Sequence, residues 1–143
     1  MKFLKLLFNK KEIVEINHEN FGLMVFDESS DYWETSENEI FHSIPGTLET
    51  PSNISIDFVI HKLDQIDHYW DLCSNDLLEI AHEWESIDKS LSAQQLFKIA
   101  AISVNSTDNK KWEICFETKP ENKWLYIGLH FDGERVVEND IST

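Results

Sequence analysis

From position 63 to position 84 the apolar residues fall at steps of three and four: Leu63, Ile66, Trp70, Cys73, Leu77, Ile80 or Ala81, and Trp84. That is the repeat of a helix with one buried face. The opposite face is acidic, with Asp64, Asp67, Asp71, Asp76, Glu79 and Glu83. The spacing predicts one helix of about six turns. Asp64 and Asp67 fall in its first turns, where the positive end of the helix dipole favours carboxylates. Asn75-Asp76 marks a place where it kinks or divides. A lone amphipathic helix must bury its stripe on something, and the flanking segments offer a surface only as strands.

Those segments read as β. Residues 12–17 alternate through Ile13, Val14 and Ile16. Residues 21–26 alternate more strongly, with Phe21, Leu23 and Val25 against Met24 and Phe26. Asp27 to Asp31 ("DESSD") is turn chemistry, because Asp and Ser side chains bond nearby backbone. Extended structure resumes at 39–44, Pro45-Gly46 signals a turn, and the β-branched alternation of 54–60 ("ISIDFVI") predicts another strand. After the long helix, Ser92 with Gln95 forms a capping-box pattern and predicts a short helix from Ala93. Strands follow at 99–104, 112–118, 124–131 and 134–141. Asp132-Gly133 before the last of them signals a type I′ hairpin. The expected class is α+β: an antiparallel β-sheet with one long amphipathic helix, plus a short one, packed on one face. The alternation needed for a doubly wound fold is missing.

Charge separates the function classes. The 143 residues carry 27 acids and 12 bases, a net charge of −15. Residues 1–11 hold Lys2, Lys5, Lys10 and Lys11 and no acid, so they carry +4 and the remainder carries −19. Such a field repels nucleic acid, whose phosphates need Lys and Arg partners. It attracts a basic protein, or it serves solubility alone. No run of apolar residues is long enough for an integral membrane span. Lys5 interrupts the apolar cluster of segment 1–11, and no small-residue cleavage site follows, so this is not a signal peptide. Segment 1–11 is instead a basic amphipathic piece, either loosely attached or docked on a single domain covering 1–143. Cys73 and Cys115 show no metal spacing and fall at apolar phases, which predicts buried thiols and fits a cytoplasmic protein.

Catalytic signatures are missing. There is no GxSxG, no HExxH and no glycine-rich phosphate loop. The best metal-like spacing is His61, Asp64, His68 and Asp71, at helical steps of three, four and seven; exposed side chains on an acidic helix face are the plainer explanation. The expectation is a protein that is not an enzyme and uses no cofactor or metal. A metal-dependent enzyme built on those four residues is one rival, and a soluble domain whose acidity serves solubility alone is another. Trp33, between Asp31-Tyr32 and Glu34, suits either the end of a core or a recognition surface. The candidate partner-binding residues are Asp31, Tyr32, Trp33 and Glu34, with Asp64, Asp67 and Asp71 on the helix.

The order of these segments, carried by Phe21-Gly22, Trp33, Trp84, Leu91-Ser92, Phe97, Gly128 and Asp132-Gly133, resembles a bacterial family of small domains of unknown function. Members of that family occur among the immunity proteins of polymorphic toxin systems. The resemblance spans about residues 21–141. It implies an intracellular protein that binds and neutralises a toxin, and it transfers no catalytic residue. Together with the charge it points to a basic toxin as the partner.

Overall fold

The computed structural model describes residues 13–35 and 38–143; the basic segment 1–11 lies outside the described residues. Eight strands form one sheet in sequential order: β1 (Glu15–His18), β2 (Gly22–Asp27), β3 (Tyr32–Thr35), β4 (Phe41–Pro45), β5 (Phe97–Val104), β6 (Lys111–Thr118), β7 (Tyr126–Asp132) and β8 (Arg135–Ser142). Every neighbouring pair is antiparallel except β4 and β5, which run parallel. Two four-stranded meanders are thus joined by one helical crossover. The expected antiparallel sheet is mostly present, but it contains one βαβ unit, because the helices return the chain to the end of the sheet where β4 began. No helix among the described residues is long and apolar enough to cross a membrane.

The crossover holds α1 (Asn53–Asp64), α2 (Ile66–Ala81) and the single-turn α3 (Ala93–Leu96). The strand expected over 54–60 is therefore a helix. Its residues satisfy two periods at once. Alternation aligns Ile54 with Ile56, but Ile54 is 72% exposed while Ile56 and Val59 are buried, as a 3.6-residue repeat demands. Ser52 decides locally: its side chain accepts a hydrogen bond from the Ser55 N–H and starts the helix. The single long helix is also corrected. The chain breaks at Gln65 (φ −107°, ψ 24°), whereas Asn75 and Asp76 lie inside α2. The capping box of Ser92 and Gln95 forms as expected.

Both main helices pack on one sheet face. Phe58 and Tyr69 meet the Trp112 ring edge-on, Tyr69 also meets Phe131, and Trp70 meets Phe116. Trp112 and Phe131 stack as cross-strand partners, while Trp124 lies outside β7, 47% exposed. Lys62 is buried within this aromatic layer. Its ammonium lies 4.8–5.3 Å from the centres of the Phe58, Tyr69 and Trp112 rings and 2.8 Å from Glu134 of the β7–β8 turn. Burial alone would lower its pKa; the bonds to Glu134 and Tyr69 outweigh that and hold it above the ordinary value. In the β7–β8 turn, Asp132 pairs with Arg135, so the two loop residues are Gly133 and Glu134. Only Gly133 has positive φ (62°). A type I′ turn needs positive φ at both loop residues, so the expected type does not form.

Trp33 is fully buried. Its ring packs on Phe26, and its Nε1 donates to the Thr47 carbonyl at 2.8 Å. It fixes the loop after β4, where Gly46 is indispensable: a Cβ there would lie 2.5 Å from Thr50 O, 2.6 Å from Pro51 Cα and 2.8 Å from Trp33 Cδ1.

Candidate functional site

Strand alternation sends Trp33, Trp112, Ile114, Phe116 and Phe131 toward the helices and their neighbours to the other side. On that open face the register aligns Glu34, Ser43, Ser103, Glu113, His130 and Glu138 in one row across six strands. The adjacent row runs Phe41, Ala101, Cys115, Gly128, Asp140. The sequence-predicted residues divide accordingly. Tyr32 and Glu34 stand on the open face, half-buried, and Asp31 is exposed in the preceding turn with φ 61°. Asp64, Asp67 and Asp71 are exposed on the helices, which cover the other face. The two candidate surfaces are therefore opposite one another. Trp33, on the helix side and without solvent exposure, is corrected from recognition residue to core.

The proposed cluster of His61, Asp64, His68 and Asp71 does not assemble. It needs one continuous helix, and the break at Gln65 interrupts it. His61 and His68 do border one shallow groove, with Gln65, Leu72 and Glu134. Among the described residues, three metal-capable side chains converge only at Glu113, His130 and Asp140. His130 Nε2 contacts Asp140 Oδ2 and lies 3.5 Å from Glu113 Oε2. These residues come from β6, β7 and β8. Gly128 leaves room beside this convergence: a Cβ there would lie 3.1 Å from Glu113 Oε2, a tight contact, and 3.4 Å from Asp140 Oδ2.

The centre of this face is electrostatically one-sided. Its lysines pair at the two ends, Lys98 with Glu117 at 3.6 Å and Lys111 with Asp132 at 2.7 Å. Burial tends to lower the His130 pKa, but Asp140, Glu113 and Glu138 reverse this and raise it. Burial and then the Glu113 charge push the Cys115 thiol up to about 12. The Tyr32 hydroxyl is raised by the same two causes. Cys115 and Cys73 are buried free thiols, protonated at neutral pH, and neither is a poised nucleophile. Aromatic rings border the acids. Trp124 stacks on Tyr126 and donates from Nε1 to Glu117 at 2.8 Å, and Phe41 is partly exposed in the second row.

A second concavity, of about 600 Å³, opens where the parallel strands β4 and β5 end. Asp31, Tyr32, Thr47, Ser52, Asn53 and Ser106 are among its walls, and Asp31 is the only ionisable carboxylate there. Asp31 and the Tyr32 phenol are its titratable groups, and Ser, Thr and Asn side chains supply most of its other polar atoms.

Sequence reasoning missed Glu113, His130 and Asp140 as a group. Alternation alone places Glu113 and His130 on the outward side of their strands. Asp140 joins them only because β8 is bulged: Phe131 pairs with Val136 but His130 pairs with Glu138, leaving Val137 as the extra residue. An unbulged hairpin would turn Glu138 and Asp140 to the opposite face. Comparison with known proteins finds no matching family model, no similar curated protein and no similar solved structure.

Proposed function

We propose that this chain is a non-catalytic protein-binding domain that receives a basic protein on the open face of its sheet. The observation that carries this reading is the composition of that face, which no helix among the described residues covers. Tyr32, Phe41, Trp124 and Tyr126 stand among Glu34, Glu113, Glu138 and Asp140, and the lysines are confined to its ends. Aromatic rings framed by carboxylates match a binding surface in which rings supply contact energy and charges speed the encounter. The neutralisation of a basic toxin, implied by the family resemblance, is the specific form we propose for that partner. The acidic helix face at Asp64, Asp67 and Asp71 is the competing surface within the same reading.

The test is affinity capture from the native host with quantitative mass spectrometry. Three baits are compared: the unaltered chain, an open-face variant (Glu34→Lys, Glu117→Lys, Tyr126→Ala) and a helix-face variant (Asp64→Lys, Asp67→Lys, Asp71→Lys). A basic protein retained by the first and third and lost by the second supports the open face. Its purified complex should then associate more slowly as salt rises. Retention by the open-face variant with an unchanged on-rate would overturn the assignment.

A further inference from the structure

We infer that Glu113, His130 and Asp140 form a binding site for a divalent first-row metal ion on the open face of the sheet. This goes beyond the protein-binding reading and stands whether or not a partner uses the same surface.

Four observations carry it. The three donor atoms lie within 4.8 Å of one another, and Glu113 Oε2 and His130 Nε2 are 3.5 Å apart. Ligands at roughly 2.0–2.2 Å from a zinc ion in tetrahedral geometry are themselves separated by about 3.5 Å. The backbone is preorganised, because the residues stand on three adjacent strands of one sheet, and His130 Nε2 and Asp140 Oδ2, which are in direct contact, need only separate to admit an ion. Gly128 leaves the space beside the donors unfilled, where a Cβ would press on Glu113 Oε2 at 3.1 Å and touch Asp140 Oδ2 at 3.4 Å. Finally, the charge is uncompensated. Glu138 faces His130 as its cross-strand partner, Cys115 and Tyr126 are the neutral neighbours, and no Lys or Arg forms an ion pair with Glu113, Asp140 or Glu138 among the described residues. Even a fully protonated His130 leaves the pair of carboxylates in net excess.

A set of one imidazole and two carboxylates suits zinc or manganese rather than copper(I) or an iron–sulfur cluster. Three protein ligands leave coordination positions for water, or for a side chain of a bound protein. Ligation requires a neutral imidazole nitrogen and ionised carboxylates, so affinity should weaken as pH falls.

Isothermal calorimetry with Zn²⁺ on the full chain tests this, with Co²⁺ absorption as the report on coordination. We expect one tight equivalent. His130→Gln and Asp140→Asn should each weaken it at least about 100-fold, the upper end of what loss of even an outer-shell partner costs. Gly128→Ala, which leaves every ligand in place, should weaken it by crowding alone; circular dichroism and a thermal melt establish that each variant is folded. A double variant, His61→Gln with His68→Gln, should keep the site. Absence of Zn²⁺ binding would overturn the inference. So would binding lost with His61 and His68 but kept in folded His130→Gln.

Discussion

Lowering the pH should destabilise this protein through one histidine, His42. It lies in β4, 4% exposed, against the Phe21 ring at 4.7 Å. Its backbone N–H donates to Thr35 Oγ1 at 2.8 Å, and its Nδ1 lies 3.3 Å from the same oxygen. Its Nε2 has no hydrogen-bond partner among the described residues. Burial therefore pushes its pKa down from 6.5 to about 4. Above pH 6.5 the imidazole is neutral in both folded and unfolded chains, and it adds no pH dependence. Between 6.5 and about 4 the unfolded chain takes up a proton that the folded chain refuses, so stability falls as pH falls. Below about 4 the folded imidazole also protonates and the loss levels off. The full displacement corresponds to about 3 kcal/mol, a large share of the stability of a single domain. Two measurements check it. The His42 Cε1 proton followed by NMR should titrate near pH 4, well below the ordinary histidine value of 6.5. Urea unfolding at successive pH values should show His42→Gln losing about 3 kcal/mol less than the unaltered chain across this window. A His42 titration near 6.5, or parallel losses in both proteins, would refute the reasoning.

The Lys62–Glu134 contact should couple the helices to the β7–β8 turn. Because the Glu134 side chain is 63% exposed, a double-mutant cycle with Lys62→Met and Glu134→Gln should give only about 1 kcal/mol, measured by urea unfolding. Gly46→Ala must displace the backbone of Thr50 and Pro51, and should cost roughly 3 kcal/mol in the same assay. Trp33→Phe should remove a water-shielded, blue-shifted component from the fluorescence emission, because Trp33 is without exposure while Trp124 is half in solvent. Cys73 and Cys115 should react slowly with a thiol reagent in the native state and rapidly in urea.

Local patterning was legible wherever a single period governed a segment. The stripe ending in Cys73, Leu77 and Ile80, the capping box at Ser92 and the alternation of Trp112, Ile114 and Phe116 each depend on neighbours a few residues away, and each took the expected form. Segment 54–60 was misread because its β-branched residues satisfy two periods; the Ser52 cap and the burial of Ile56 and Val59 against the sheet choose the helix. The negative charge was legible as a quantity, but not as a place.

The sequence by itself determined an acidic domain with strands, helices and buried thiols, because composition and short-range periodicity set which residues must leave water. Tertiary structure alone decided that β4 and β5 run parallel, and that Tyr32 and Asp71 stand on opposite sides. It also decided that Glu113, His130 and Asp140 meet over Gly128. These outcomes depend on strand register across the sheet. One extra residue at Val137 reverses which side chains of β8 stand on the open side of the sheet, and nothing within β8 itself marks where that bulge falls.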